Sequence, residues 1–196
     1  MLTANQQFLK RAFDVSISIV LLVFIIIPLI LLLLIASIDL QANGLFVQQR
    51  IGYLGKPFSL YKIRTLRGDD HFDVVSIHEK QTGFGRFLRR TKLDELPQLF
   101  NILKGDMSLV GPRPDVAGYA DRLEGEDRII LSVKPGLTGP ATLKYKNEDE
   151  ILLSTPNPNK YNEEVIWPDK VAINKEYVLQ WSFQKDLAYL VASVLK

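Results

Sequence analysis

The chain has 196 residues, 47% of them apolar, and its 24 Lys and Arg against 22 Asp and Glu leave a formal charge of +2. So small an excess gives no ground for a nucleic-acid binder, and no DNA- or RNA-reading motif is present. Zero cysteines exclude disulfides, thiolate catalysis and Cys-based metal sites and agree with a reducing cytoplasm.

The apolar residues are concentrated near the N-terminus. From Val15 to Ile38 there is no charge. As a helix this run is about 36 Å long, against a hydrocarbon core of roughly 30 Å. It is too long for a signal peptide, and no small-residue cleavage pattern follows it. The chain therefore reads as a membrane segment, residues 1–41, joined to a water-soluble domain, residues 42–196. Pro28, near the middle of the run, deletes the hydrogen bond to the Phe24 carbonyl and favours a kink. Basic residues flank both ends, Lys10 and Arg11 before and Arg50, Lys56, Lys62, Arg64 and Arg67 after, which draws both ends to the cytoplasm. A helix broken at its midpoint and returning to its own side satisfies both facts; a plain kinked span is the other solution. Asp14 and Asp39 bracket the run and are expected at headgroup level.

In the soluble part, "LFVQQRIGYLGKPFSLYKIRTL" predicts two strands, Leu45 to Ile51 and Pro57 to Ile63, around a Gly-containing turn. Residues 67–80 are polar and aperiodic, a loop in which His71 and His78 stand as surface residues without metal-ligand spacing. In "GFGRFLRRT", Phe84, Phe87 and Leu88 share a helical face, with Arg86, Arg89 and Arg90 elsewhere. This suits a helix lying in a membrane interface, or one packing on the core. Leu96 to Leu103 predicts a further helix, stopped at Gly105. "SLVGPRPD" and "VKPGLTGP" read as rigid ligand-holding loops. Val171 to Leu195 is amphipathic, and Tyr177, Trp181, Phe183 and Tyr189 point to an interface. The fold class is α+β, mostly helical, with a β-hairpin and amphipathic interfacial helices.

Residues Lys92 to Gln98 read "KLDELPQ", with adjacent carboxylates Asp94 and Glu95. Pro97 predicts that a helix begins close by, and its N-terminal dipole, with Arg89, Arg90 and Lys92, favours the ionised acids. An ionised, positioned aspartate is a nucleophile toward phosphorus or, with Glu95, a ligand for Mg²⁺, which takes one or two carboxylates plus substrate phosphates. A helix cap without chemistry is the plain alternative. Arg113 between two prolines, and Lys134, Lys144 and Lys146 beside "KPGLTGP", supply cations of the kind that bind diphosphates.

Together, "RAFDVSISIVLLVFIIIPLILLLLIASI", "QQRIGYLGKPFSLYKIRTL", "FGRFLRRTKLDELPQLFNILKGDMSLVGPRPD" and "VKPGLTGPATLKYKNEDE" resemble the bacterial sugar transferase family, the monotopic phosphoglycosyl transferases. The resemblance runs from about Arg11 to the C-terminus and is most specific from Arg86 to Pro114. It implies transfer of a sugar phosphate from a UDP-sugar to polyprenyl (undecaprenyl) phosphate, releasing UMP, at a bacterial plasma membrane with the catalytic domain on the cytoplasmic face. On this chain Asp94 would be the nucleophile, forming an aspartyl phosphosugar, and Glu95 would hold Mg²⁺ or assist proton movement. The implied substrate-binding set is Lys62, Arg64, Arg89, Pro112, Arg113, Pro114 and Lys146, the implied metal ligands are Asp94 and Glu95, and the implied membrane helix is re-entrant. Membrane lipids are expected partners, nucleic acid is not, and a homodimer is left open.

Three positions depart from the family's pattern. Ile27 stands where Ser often precedes the helix-breaking proline, Lys146 where Arg is frequent, and Asn174 where Asp is frequent. Two other functions fit the residues alone: a Mg²⁺-dependent phosphohydrolase of nucleotide sugars or polyprenyl diphosphates, and a membrane-tethered module binding anionic ligands without catalysis.

Overall fold

The computed structural model describes residues 2–68 and 80–195; His71, His78 and the interior of the expected loop fall outside them. The loop's ends are joined by a bridge between Leu66 and Gln81. The chain is mostly helical, with two small two-stranded sheets.

Helix α1 spans Ala4–Leu40 with Pro28 inside it. It starts in a capping box, where Thr3 Oγ1 accepts from Gln6 N–H and Gln6 Oε1 accepts from Thr3 N–H. It stops where Gln41 turns left-handed at φ 51°. α1 is long and apolar enough to cross a membrane. Val23, Phe24, Ile27 and Ile38 are each more than two-thirds exposed, a continuous apolar surface that a water-soluble chain rarely presents.

One stripe of α1, Lys10, Asp14, Ser18, Leu22, Leu29 and Ala36, is buried against the rest of the chain. Its first two residues correct the expectation for the charged flank. Lys10 pairs with the carboxylate of Asp186, which also accepts from Tyr177 Oη at 2.7 Å and Trp181 Nε1 at 3.0 Å. Asp14 accepts from Leu109 N–H at 3.0 Å rather than meeting headgroups. Arg11 caps the carbonyls of Ile102 and Leu103. Tyr177 and Trp181 therefore serve the interior rather than an interface.

Strands β1 (Leu45–Ile51) and β2 (Pro57–Ile63) pair antiparallel, Leu45 opposite Ile63 and Ile51 opposite Pro57, with the predicted bounds. Their turn needs left-handed backbone at Leu54 and Gly55. β2's other edge is closed by buried Asn101, whose Oδ1 accepts from Tyr61 N–H at 3.0 Å and whose Nδ2 donates to the Ser59 carbonyl at 2.7 Å. Helix α2 is Gly83–Thr91, with Leu88 buried and Phe87 nearly half exposed; α3 is Gln98–Lys104, ended by Gly105 at φ 92°.

The two expected loops each contain a strand. β3 (Ser108–Val110) pairs parallel with β4 (Gly136–Thr138). Backbones touch there: a Cβ on Gly136 would lie 2.1 Å from Gly111 N, so only glycine fits. Short helices follow, α4 (Pro140–Lys144), α5 (Glu148–Leu153) and α6 (Pro158–Tyr161). The expected C-terminal stretch is two helices, α7 (Trp167–Leu179) and α8 (Phe183–Val194), restarted by a Ser182 cap.

Asp186→Asn should leave Lys10 buried without its counter-ion and cost about 3 kcal/mol or more. Adding Lys10→Met should recover much of that. Thermal unfolding of both variants in detergent checks the pair.

Candidate active site

The α2–α3 connection builds the site. α2 ends at Lys92, whose φ of 58° is a conformation that glycine usually supplies at a helix C-terminus. Such local strain is tolerated where surrounding structure over-determines it. The chain then makes a 3₁₀ turn, Leu93–Glu95, and passes through Pro97 into α3. Leu93 and Leu96 pack on a core formed by Leu29, Ala36, Ile63 and Leu88, which fixes the turn against α1. Asp94 and Glu95 are both buried.

The two acids differ sharply. Glu95 is bound from two sides: Arg113 places Nη2 2.7 Å from Oε1 and Nη1 3.4 Å from Oε2, and Lys62 Nζ lies 3.4 Å from Oε1. Burial alone would push the Glu95 carboxyl up, but Arg113 and Lys62 hold it well below the usual carboxylate range. Asp94 makes no side-chain hydrogen bond to another described residue, and its Oδ1 is sealed from solvent. Burial pushes its carboxyl up, Lys62 opposes this, and the neighbouring Glu95 charge adds to it. The expected depression of Asp94 by the helix end is thus reversed by burial.

Of the expected substrate-binding residues, Lys62 and Arg113 meet at Glu95. Pro112 and Pro114 hold Arg113 in a loop launched from β3: Pro112's carbonyl accepts from Gly136 N–H at 2.8 Å, and Pro114's from Arg50 Nη1 at 3.4 Å. Arg89 stands 2.7 Å from Asp149 and acts on Asp94 only through its field. Arg64 lies over the Phe46 ring and donates to the Asn43 carbonyl. The Lys146 side chain is exposed, with no ion pair among the described residues. Neither Arg64 nor Lys146 joins the carboxylate cluster.

Sequence reasoning missed Asp115, the last residue of "SLVGPRPD". Burial pushes its carboxyl up to about 6, against the pull of Lys170, Arg50 and Arg113. Glu148, bound by Lys170 at 2.6 Å, belongs to the same group of charges. The available signal was the acid directly after a Pro-Arg-Pro turn.

Among the described residues no three His, Cys, Asp or Glu side chains gather as a metal cage. Asp94's carboxylate nonetheless has no bonded partner among these residues, while both Glu95 oxygens are claimed by cations. One open carboxylate completed by substrate phosphates is a donor set that Mg²⁺ accepts. A cavity of about 600 Å³ lined by Leu54, Arg128, Ile129 and Leu179 lies apart from the dyad, which does not line it.

Among the described residues, then, one buried carboxylate without a donor lies beside a second one saturated by Arg and Lys, in a turn fixed against a long apolar helix. The bacterial sugar transferase family model matches residues 5–196, and the chain belongs to that family. It is 34% identical to the sugar transferase EpsL of Bacillus subtilis, over 96% of this chain and 86% of that one. It is 34% identical to a UDP-glucose:undecaprenyl-phosphate glucose-1-phosphate transferase of Caulobacter vibrioides, covering 94% of this chain and 68% of that one. To an undecaprenyl-phosphate galactose phosphotransferase of Salmonella typhimurium it is 33% identical, over 95% of this chain but 40% of the relative. Family membership makes the chain a phosphoglycosyl transferase.

Native Asp115 keeps its proton to about pH 6, whereas the unfolded chain releases it near 3.8. The native state binds more protons across that window, so this group's contribution to stability falls as pH rises through it. Asp115→Asn should therefore raise the unfolding temperature, and by more at pH 7 than at pH 5. Melts at the two values check the sign.

Proposed function

We propose that this chain transfers a sugar 1-phosphate from a UDP-sugar to polyprenyl phosphate through a covalent bond to Asp94. The observation that carries the proposal is the inequality of the dyad: Glu95 is committed to Arg113 and Lys62, while the Asp94 carboxylate has no hydrogen-bond partner among the described residues. The names of the Caulobacter and Salmonella relatives support the substrate class.

In the first step an Asp94 oxygen attacks the β-phosphorus, the bond from that phosphorus to the α–β bridging oxygen breaks, and UMP leaves with the electron pair. In the second, a phosphate oxygen of the polyprenyl carrier attacks the same phosphorus and expels the Asp94 carboxylate, giving polyprenyl-diphosphate-sugar. Arg113, with a side chain about one-third exposed, presents a guanidinium fork to a diphosphate, and Lys62 adds a point charge behind it. Mg²⁺ held by Asp94 and the diphosphate, with Glu95 as a further ligand if it leaves a cation, would neutralise charge on the phosphates.

The same reading makes α1 a re-entrant segment with the catalytic domain on the cytoplasmic face. Both ends of α1 are fastened to one domain: Lys10, Arg11 and Asp14 to α8, α3 and β3, and Leu29 and Ala36 to Ile63 and Leu88. A helix tied in this way favours ends on the same side of a bilayer. Pro28 supplies a weak point for the bend.

With a UDP-sugar and no lipid, the purified protein should gain the mass of one sugar phosphate and release UMP. Asp94→Asn should lose both that adduct and transfer, by about 10³-fold or more. An unmodified wild-type protein that still produces lipid-linked sugar would rule out the covalent route. Free sugar phosphate without a lipid product would favour hydrolysis.

A further inference from the structure

A second buried polar atom next to the dyad has no partner among the described residues: Nε2 of Gln98. Gln98 is 2% exposed and Asp94 is 6% exposed, so water reaches neither side chain freely. Native interiors leave few such groups unmet, and an amide donor at this depth destabilises the fold unless another state of the protein uses it.

The local winding puts the two residues about one turn apart on the same stretch of chain. Leu96 N–H bonds to Leu93 O at 3.3 Å, Leu99 N–H to Leu96 O at 3.1 Å, and Phe100 N–H to Pro97 O at 3.0 Å, so the chain from Leu93 to Phe100 turns without interruption. Residue 98 follows Glu95 by three and Asp94 by four, the two spacings that place side chains side by side on a helical surface. Pro97, between them, has no N–H to offer. Three of the nearby cations have other partners, Arg113 and Lys62 on Glu95 and Arg89 on Asp149, while Lys92 acts on Asp94 through its field.

We propose that Gln98 is a positioning residue for the nucleophile, its Nε2–H donating to Asp94 Oδ1 once substrate engages. This rests on the reading of Asp94 as the attacking group. Oδ1 is the sealed oxygen, and the other carboxylate oxygen, Oδ2, is not sealed. A donor on Oδ1 fixes the plane of the carboxylate and leaves Oδ2 to meet phosphorus. A neutral amide does so without the full positive charge that would blunt the nucleophile. Oδ1 becomes the carbonyl oxygen of the acyl phosphate, so the same donor serves before and after the bond forms.

The test compares the full-length protein with Gln98→Met, in detergent, with UDP-sugar and no lipid. The unfolding temperature should stay level or rise, because an unmet buried amide is removed. KM for the UDP-sugar should stay within about twofold, while the rate of adduct formation falls about 10- to 100-fold. Gln98→Leu serves the same comparison if the Met variant does not fold. An adduct rate near that of wild type in a folded apolar variant would overturn the positioning role and leave Asp94's role intact. A fall in rate matched by a fall in unfolding temperature would assign Gln98 to packing and overturn it equally. A wild-type protein that forms no adduct would instead remove the reading on which the proposal stands.

Discussion

Two carboxylates one residue apart cannot both be buried and ionised unless something compensates at least one of them. Glu95 meets that constraint with Arg113 and Lys62, and the architecture around it follows. The three partners come from separate parts of the chain: Lys62 from the end of β2, Glu95 from the turn before α3, and Arg113 from the loop after β3. The ion cluster is thus a tertiary crosslink as well as an electrostatic device. By absorbing both cations, Glu95 leaves Asp94 with unclaimed oxygen and, among the described residues, no counter-ion in contact.

Each cation is in turn held by backbone geometry. Lys62 is placed because Asn101, on α3, bonds the backbone of Ser59 and Tyr61 and locks β2 to the helix that follows the dyad. Arg113 is placed because β3 and β4 meet at glycines too close to admit a Cβ, and because Arg50 bonds the Pro114 carbonyl. Beyond Arg113, Asp115, Glu148 and Lys170 continue the alternation of charge, so the arginine stands between two acidic groups. An anionic substrate arriving at Arg113 competes with carboxylates already there, a balance that favours a diphosphate over a singly charged ligand.

Where local pattern decides, the sequence was legible. The hairpin's bounds follow from alternating β residues around a glycine turn, and α2 follows from Phe84 and Leu88 on one face. The dyad was visible as an oddity of charge. Contacts across long separations were not legible. β3 and β4 are three residues each, rich in proline and glycine at their edges, and exist only because they find each other. Lys10 looked like a flanking charge because its partner, Asp186, is 176 residues away. Lys62 and Arg64 looked alike, yet one meets Glu95 and the other turns to Phe46. Asp94's upward shift was hidden for the same reason, since burial cannot be read from the dipeptide.

The dyad's place beside the apolar run of α1 follows from the same packing. The residues on either side of the acids, Leu93 and Leu96, belong to the cluster built on Leu29 and Ala36, which lie in the apolar run of α1. The opposite face of that run, Phe24, Ile27, Leu31 and Leu34, is exposed. One face of a single helix therefore carries the reacting turn while the other offers apolar surface to lipid, about one helix diameter, roughly 10 Å, away. Under the proposed function, a lipid phosphate with its charge at the boundary and its tail in hydrocarbon would have to meet Asp94 across this thickness. Under the same reading, a water-soluble sugar donor would approach at the exposed edge of Arg113. On the proposed function the helix would set the distance between two substrates that share no solvent, a separation that suits a carboxylate nucleophile carrying the phosphosugar from one to the other.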